Sequence, residues 1–277
     1  MERNTKVSVV ITTRNEEDVI DSLIKSIKKQ NYSNIEILLV DNKSSDQTVK
    51  IAQKNQVRTF SFGPERSTQR NLGAKKAKGK YLLFLDADME LSASVIEECV
   101  RVVNKNKQIG AVIVPEMSVA ITFWEKVKAF ERSFYNESGD TITDAARFFR
   151  KRVFWQVGGY DETITGPEDW DLPELVAKAG YEIARVTAVI YHHERIPSLL
   201  MLGRKKYYYA LKASRYLQKQ NISLISPKTI YFFRPIFYQR WRKLASQPIL
   251  SLAMFIMFGV ELMGGGVGYL VGRFRNE

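Results

Sequence analysis

The chain has 277 residues, of which 45% are hydrophobic and 26% charged, so it can bury a full core and is not an intrinsically disordered chain. Its single cysteine, Cys99, excludes an internal disulfide framework and fits a reducing compartment. The net charge of +12 lies almost entirely in residues 196–277, which hold 13 Lys and Arg against two Glu. We therefore expect an electrically balanced domain at 1–195 and a separate basic region at 196–277.

The first part of the chain alternates short apolar segments with polar segments of helical spacing. The N-terminal MERNTK leads directly into the first apolar segment and lacks the features of a signal peptide. Continuous apolar strands that alternate with helices predict an α/β fold, with a mostly parallel sheet covered by helices on both faces. The predicted strands are residues 7–12, 35–40, 57–61, 81–85 and 109–114.

Polar residues follow three of these strands directly. In open parallel sheets the ligand crevice lies outside the carboxyl ends of the strands, so these residues are the first candidates for a binding site. They are Thr13 to Glu16, then Asp41 and Asn42, then Asp86 to Asp88.

The pair Asp86 and Asp88 ends the predicted strand at 81–85. Carboxylates at a strand end can hold a hard divalent cation, which in turn binds the phosphate oxygens of a nucleotide. The alternative is that Asp88 caps a following helix, although Ser92 or Ser94 suits that position.

The two earlier segments each have a local alternative. At its strand end Asp41 can accept hydrogen bonds from a nucleobase or a ribose, or it can form a turn with Asn42 and Ser44. Thr13 followed by Glu16 fits the pattern of a helix cap.

The middle of the chain, residues 116–195, has a weaker pattern. It predicts a helix over 122–136 and a turn at VGGYDE. A basic cluster there can face a diphosphate or an acidic acceptor, or it can form a solvated face. Its members are Arg147, Arg150, Lys151 and Arg152.

Residues 196–277 combine basic, aromatic and apolar side chains. The segments 199–217 and 229–246 mix aromatic residues and leucines with Lys and Arg, and residues 249–272 contain one charge. A nucleic-acid surface uses charge and stacking but needs no long uncharged segment, whereas the surface of an anionic membrane accounts for both. We therefore expect a membrane surface with anionic lipids as the partner and no nucleic acid. Soluble helices packed on the first domain are the alternative.

The apolar segment 249–272 is long enough to cross a bilayer. Glu261 and three consecutive glycines, Gly264 to Gly266, lie in its middle, where a charge is costly and glycine weakens a helix. Basic residues flank both ends and therefore do not orient the segment. We expect helices that lie in the membrane interface, with a single span as the alternative.

The stretch RSTQRNLGAKKAKGKYLLFLDAD resembles the family-2 glycosyltransferases of the GT-A fold, and the resemblance extends over roughly residues 6 to 195. Several motifs carry it in the same order along the chain. They are SVVITTRNE at 8–16, LLVDNKSSDQT at 38–48, Arg70 to Gly73, Ala77 to Gly79, Asp86-Ala87-Asp88, GGYDE at 158–162 and EDWDL at 168–172.

This resemblance implies a domain that binds a nucleoside-diphospho-sugar donor and transfers the sugar with inversion. It implies that four residues hold the nucleoside, namely Thr12, Arg14, Glu16 and Asp41. It further implies that Arg70 lies near the nucleotide, that Asp86 and Ala87 lie near the ribose or sugar, and that Asp88 binds a divalent metal, Mn²⁺ or Mg²⁺.

By the same resemblance, Asp169 of the ED motif is the catalytic base that deprotonates an acceptor hydroxyl. Asp169 also stands at the start of a predicted helix, whose positive end favours the ionised carboxylate; acids are common there for that reason alone. A histidine after the VTAVIY segment completes the metal site in related enzymes. Of His192 and His193 we select His193, and an imidazole ligand favours manganese over magnesium. Solvent-facing histidines at a strand end are the alternative.

These observations predict a membrane-associated, metal-dependent, inverting glycosyltransferase that acts on a lipid or glycolipid acceptor at the cytoplasmic face. The arrangement is similar to that of polyprenyl-phosphate and glycolipid glycosyltransferases. The stretch TDAARFFRKRVF resembles the dolichyl-phosphate mannose synthase pattern, which makes GDP-mannose the first donor to consider and a UDP-sugar the alternative.

Two other classes of protein share part of the pattern. A sugar-nucleotide nucleotidyltransferase needs a glycine-rich basic loop after the first strand, where this chain has TTRNEED. A non-catalytic membrane-surface protein would explain the basic region but leave the DAD and EDWDL motifs without a role.

Overall fold

A computed structural model of the chain describes residues 5–136, 139, 144–164 and 166–276, which divide between two compact units. The first unit is Met1–Glu116, Ala145–Glu162 and Glu168–His192, and the second is Met117–Asp144, Thr163–Pro167 and His193–Glu277. The sequence predicts a single boundary at residue 195. The structure instead changes unit at 192/193 and assigns two earlier segments to the second unit.

The first unit is built on a seven-stranded sheet. Its strands are β1 (Val7–Thr13), β2 (Ile35–Asp41), β3 (Arg58–Ser61), β4 (Tyr81–Asp86), β6 (Ile109–Ile113), β8 (Ala146–Arg150) and β9 (Glu182–Arg185). Their order across the sheet is β3-β2-β1-β4-β8-β6-β9. A second sheet has three strands in the order β5-β10-β7. These are β5 (Met89–Leu91), β7 (Glu116–Val119) and β10 (Ile190–His193).

The central strands of the large sheet are parallel. β1 pairs in parallel with β2 and β4, β2 with β3 and β6 with β9, whereas β8 is antiparallel to both β4 and β6. All seven residues of β1 are buried, as expected for a strand with a hydrophobic core on each face. Val9 and Ile11 belong to one core cluster and Val10 to the other. The predicted α/β architecture is confirmed.

Amphipathic helices cover this sheet. They are α1 (Ile20–Lys28), α2 (Thr48–Lys54), α3 (Arg66–Lys76), α4 (Val95–Lys105), α6 (Lys151–Gln156) and α7 (Glu168–Lys178). In α1 the buried residues are Ile20, Leu23, Ile24 and Ile27, which is the spacing of one helix face. Cys99 is buried in the same way on α4 and forms no disulfide.

In the part of the chain that the structure describes, the second unit is mainly helical and also contains residues 117–119 of β7. Its helices are α5 (Phe123–Arg132), α8 (Leu199–Ala210), α9 (Ala213–Lys219), a 3₁₀ turn (Tyr231–Phe233), α10 (Pro235–Gln239), α11 (Trp241–Ser246) and α12 (Pro248–Asn276). A capping box between Thr122 and Glu125 begins α5. Phe134, Phe237 and Phe258 lie in the aromatic core that joins these helices.

Helix α12 continues without a break through Gly264, Gly265 and Gly266. The reason lies in its packing against α8. A Cβ added at Gly264 would lie 2.3 Å from the carbonyl oxygen of Gly203, and one at Gly268 would lie 2.2 Å from that of Tyr207. Glycine therefore lets the two backbones approach more closely than any other residue would allow.

Glu261, which the sequence places in the middle of the apolar segment, is buried within the second unit. Its Oε1 accepts a hydrogen bond from Lys128 Nζ of α5 at 3.1 Å and lies 3.4 Å from Lys206 Nζ of α8. Lys128 is also paired with Glu131. The glutamate is thus compensated by two cations instead of facing an apolar environment.

Substituting alanine at two different glycines of α12 should change the free energy of unfolding in opposite directions. We expect Gly268→Ala to lower the free energy of unfolding by about 1–3 kcal/mol, because its methyl group would overlap the backbone of α8. The matched control is Gly266→Ala, where no atom lies within 4 Å of the added Cβ. That variant should gain about 0.5–1 kcal/mol from helix propensity. Denaturant unfolding measures both, and equal effects would refute the close contact of the two helices.

Candidate active site

Three parallel strands bring the polar segments of the sequence to one edge of the large sheet. β1 ends at Thr13, β2 at Asp41 and β4 at Asp86, and in the register Thr12 lies opposite Asp86. Since the strands run in the same direction, the residues that follow them share the carboxyl edge, as the sequence predicts.

Arg70 on α3 is the centre of the ion pairs at this edge. Its side chain is fully buried, and its guanidinium contacts Asp169 Oδ1 at 2.5 Å through Nη1 and Asp86 Oδ1 at 2.9 Å through Nη2. The ring of Tyr160 lies 5.0 Å from the guanidinium carbon. Arg70 therefore joins the DAD motif to the ED motif, a role that the resemblance, which places it near the nucleotide, does not include.

Arg66 stands one helical turn before Arg70 and extends the same network. It binds Oε1 of Glu168 through Nε at 2.9 Å and through Nη2 at 2.8 Å, and its Nη1 lies 3.6 Å from Asp86 Oδ2. The spacing of four residues puts both arginines on one face of α3. That face meets the acidic first turn of α7, where Glu168 and Asp169 stand side by side.

Arg147 approaches the two aspartates from β8. It binds Glu116 Oε1 through Nη2 at 2.7 Å and Nε at 2.9 Å, while its Nη1 lies 3.5 Å from Asp86 Oδ2 and 3.9 Å from Asp169 Oδ2. Asp86 and Asp169 thus share two arginines. Of the predicted basic cluster, Arg147 is the member that reaches this site.

The arginines decide the protonation state of the aspartates. Burial raises the pKa of Asp169, but Arg70 and Arg147 outweigh burial and the net pKa is lowered. Burial likewise opposes ionisation of Asp86, and Arg70, Arg66 and Arg147 hold its pKa well below the usual range. Both carboxylates are therefore ionised at neutral pH.

Asp88 lies between β4 and β5 and faces His192. Nε2 of His192 is 3.7 Å from Asp88 Oδ2, and Nδ1 is 2.8 Å from Glu116 Oε2. The selection of His193 as a metal ligand stays a prediction, and His192 is the histidine that the structure places beside Asp88. Asp88 is not a helix cap, since Ser94 occupies the N-cap position of α4.

The chemistry of this pair fits a divalent cation. A carboxylate fixes one nitrogen of the imidazole, which leaves the other nitrogen directed toward a second carboxylate, as metal-binding histidines commonly are. Among the described residues no group of three His, Cys, Asp or Glu side chains is placed to hold a metal. Asp88 and His192 would thus supply two ligands, with the others coming from donor phosphates and water.

Within the described residues, the ion pairs at this edge form one network that links three guanidinium groups to five carboxylates. The members are Arg66, Arg70, Arg147, Asp86, Asp88, Glu116, Glu168 and Asp169.

Asp41 forms the turn that the sequence offers as the alternative. Its carboxylate accepts hydrogen bonds from Thr13 Oγ1 at 2.9 Å, from the Ser44 backbone at 2.7 Å and from Ser44 Oγ at 2.5 Å. Thr13 therefore fixes Asp41 and does not cap α1, which begins at Ile20. The nucleoside contact expected for Asp41 stays a prediction.

The other residues predicted to hold the nucleoside lie at the same sheet edge. Thr12 is buried in β1, whereas Arg14 is exposed in the segment that follows. The backbone of Glu16 is held at 2.7 Å by Thr48 Oγ1. Ala87 is buried between the two aspartates of the DAD motif.

Asn71, next to Arg70, fixes the GGYDE turn. Its Nδ2 donates to the Tyr160 carbonyl at 2.8 Å, and its Oδ1 accepts from the Tyr160 backbone N–H at 3.0 Å. Gly159 has a φ of +73°, and a Cβ there would lie 2.9 Å from Asn71 Oδ1. The turn holds the ring of Tyr160 against Arg70, so two neighbouring residues of α3 organise the site.

The remaining basic cluster lies at the start of β4, away from the carboxyl edge. Arg150 is opposite Tyr81 in the register and binds the carbonyls of Val103, Ile109 and Asn106. Together with Lys80, Lys151, Arg152 and Trp155, these two residues line a cavity of about 340 Å³. This position favours the alternative interpretation of Arg150, Lys151 and Arg152, namely a basic face outside the donor site.

Comparison with known proteins finds a matching family model and several relatives of this chain. Residues 8–158 match the family model described as Glycosyl transferase family 2. The poly(ribitol-phosphate) beta-N-acetylglucosaminyltransferase TarS of Staphylococcus aureus is 24% identical over 240 residues. The match covers 82% of this chain but 39% of that protein, so the chain spans about two fifths of that relative's length.

Two further matches cover very different shares of this chain. The GalNAc(5)-diNAcBac-PP-undecaprenol beta-1,3-glucosyltransferase of Campylobacter jejuni is 29% identical over 110 residues, which are 36% of this chain and 35% of that protein. The solved structure of the mannosyltransferase PcManGT from Pyrobaculum calidifontis, in complex with GDP-Man and Mn²⁺, has a TM-score of 0.60 and 16% identity. It covers 99% of this chain and 87% of that chain, and shows that the two folds are alike.

The role of Arg70 is testable by a double-mutant cycle. Arg70→Met leaves Asp86 and Asp169 buried without their shared cation, which should cost about 3–5 kcal/mol of unfolding free energy. Adding Asp169→Asn removes one of those charges, so the double variant should lose clearly less than the sum of the single losses.

Denaturant unfolding at neutral pH provides these energies. As a control, Lys25→Met breaks an exposed pair with Asp21 on α1 and should change stability little. Strict additivity of Arg70→Met and Asp169→Asn would show that the two side chains do not interact.

Proposed function

Because this chain belongs to glycosyl transferase family 2, we propose that it transfers a sugar, with inversion, from a nucleoside-diphospho-sugar to a lipid-linked acceptor. The observation that carries the proposal is the Arg70 bridge, which holds Asp86 of the DAD motif and Asp169 of the ED motif on one cation. A donor site and an acceptor site need such a fixed separation, since the reacting atoms must meet in one geometry.

The donor side of the proposed site is the carboxyl edge of β1, β2 and β4. Thr12, Arg14, Glu16 and Asp41 are proposed to hold the nucleoside, with Asp86 and Ala87 beside the ribose or sugar. The support is their common position at the ends of parallel strands, where α/β folds bind nucleotides.

The acceptor side is Asp169. In the proposed reaction its Oδ2 takes the proton of the acceptor hydroxyl, while Oδ1 stays on Arg70. Inversion requires this attack to come from the face opposite the leaving diphosphate. The lowered pKa keeps Asp169 ionised and ready to accept a proton, but also makes it a weak base. If the acceptor is a lipid phosphate, which is already ionised, Asp169 acts by positioning.

A divalent metal, Mn²⁺ or Mg²⁺, is part of the proposal. Asp88 and His192 would hold it, and Glu116 would fix the imidazole tautomer through Nδ1. When bound, such a cation neutralises negative charge on the diphosphate. An imidazole ligand favours Mn²⁺ over Mg²⁺.

For the donor, GDP-mannose remains the first to test. A structural neighbour is described in complex with GDP-Man and Mn²⁺, whereas a curated relative is named as an N-acetylglucosaminyltransferase. A UDP-sugar is therefore the second donor to test. For the acceptor, a relative named for an undecaprenol-linked substrate supports a lipid carrier.

We also propose that the enzyme acts at the cytoplasmic face of a membrane that contains anionic lipids. Among the described residues one helix, Pro248–Phe274, is long and apolar enough to cross a membrane. The basic charge of residues 196–277 supports contact with anionic headgroups.

A thermal-shift panel tests the proposed donor class. With Mn²⁺ present, GDP-mannose or a UDP-sugar should raise the Tm by an amount that grows with donor concentration, because ligands of the native state stabilise it. Without the metal the shift should be much smaller. No shift with GDP-, UDP- or dTDP-sugars under either condition would overturn the proposed function.

The two adjacent histidines supply a matched pair for the same assay. We expect His192→Ala to weaken the apparent Mn²⁺ affinity by about 10–100-fold, since it removes a ligand that Glu116 orients. His193→Ala should keep the wild-type affinity. A larger effect of His193→Ala would reverse the assignment.

A further inference from the structure

Helix α12 carries a continuous apolar stripe on one face. The stripe residues follow one another at intervals of three, four or seven, which places them on one side of a helix. Their side chains are between 49% and 75% exposed. The members are Ile249, Leu252, Ile256, Met263, Val267, Leu270 and Phe274. At a rise of about 1.5 Å per residue the stripe is about 38 Å long.

The opposite side of α12 packs against other helices of the second unit. Glu261 is ion-paired with Lys128 of α5 and lies close to Lys206 of α8. Gly264 and Gly268 stand against the backbone of α8. The helix is therefore one-sided, with a polar and close-packed face turned inward and an apolar face left open.

This division argues against a spanning position. A helix that crosses a bilayer exposes its whole circumference to lipid or to other spanning segments. To do so here, α12 would have to separate Glu261 from Lys128 and Lys206, or carry α8 with Arg204 and Lys205 into the apolar layer. Both routes bring charged groups into the apolar layer, which is strongly unfavourable.

The charge around the stripe identifies its partner. Residues 196–277 hold 13 Lys and Arg against two Glu, and α11, just before α12, exposes Trp241 and Arg242. Arg273 is exposed at the other end of the stripe. Two copies of this basic surface would repel each other, whereas anionic headgroups would attract it. Tryptophan beside basic residues is typical of the membrane–water interface.

We infer that the α12 stripe docks into one leaflet of an anionic membrane with the helix axis parallel to the membrane plane. This inference rests on the proposed function, which includes membrane association. It adds which surface contacts the membrane and how α12 is oriented there. The occupant of the stripe is the boundary between headgroups and acyl chains, into which amphipathic helices insert their apolar face.

Vesicle co-sedimentation tests the surface. The full chain should bind vesicles of phosphatidylcholine with phosphatidylserine more tightly than vesicles of phosphatidylcholine alone. Leu252→Asp and Val267→Asp should each weaken binding about tenfold or more, because each prevents insertion of an apolar side chain. The control Gln53→Asp adds the same charge at an exposed position of α2 and should bind like the wild type.

Two readouts keep this test separate from folding and from catalysis. The neutral variant Val267→Ser should also weaken vesicle binding while its unfolding curve stays that of the wild type. Donor-induced thermal shifts should persist in every stripe variant. Wild-type vesicle affinity in Leu252→Asp and Val267→Asp, alongside normal donor binding, would overturn the inference and leave the proposed function standing.

A depth measurement tests the orientation. Single cysteines at Leu252, Met263 and Phe274 can carry an environment-sensitive fluorophore, since the native Cys99 is buried. Quenching by lipids brominated at different positions should place all three labels at the same shallow depth. A label at residue 263 deeper than those at 252 and 274 would show a span. A dimer that shields the labels from quenching would show a second copy as the occupant.

Discussion

The first unit depends on one buried cation. Arg70 is inaccessible to water and sits between Asp86 and Asp169, with Tyr160 over its guanidinium. A buried charge is tolerated only when partners compensate it, so α3, β4 and the start of α7 must meet here for the fold to be stable. The residues that compensate Arg70 are therefore also residues that the proposed reaction uses.

The acidic residues around Arg70 differ in which cationic or imidazole side chains lie beside them. Glu168 is neutralised by Arg66, and Asp169 and Asp86 share Arg70 and Arg147. Asp88 lies outside these pairs, next to a histidine whose other nitrogen is fixed by Glu116. The arginines hold Asp86 and Asp169 ionised, whereas Asp88 lies beside the imidazole of His192. This position supports the proposed cation at Asp88.

Much of this could be predicted from the sequence, and the failures have physical reasons. The first parallel strands and their shared carboxyl edge follow from apolar periodicity, and the resemblance identifies the DAD and ED motifs. The Arg66–Glu168 pair joins residues 102 positions apart, which no local pattern reports. The proximity of His192 to Asp88 depends on the antiparallel pairing of β10 with β5, which the sequence does not show. Glycine propensity predicts a weak helix at Gly264, but close packing on α8 overrides it.

The proposed reaction requires that Arg70 holds Asp169 and the donor site in one fixed geometry. The most direct test is the single-turnover transfer rate of Asp169→Asn, measured beside its donor Kd. An asparagine keeps the size of the side chain and its hydrogen bond to Arg70 but cannot take a proton. We predict an unchanged donor Kd and a transfer rate lower by about 10²–10⁴-fold. A transfer rate equal to that of the wild type would contradict the account.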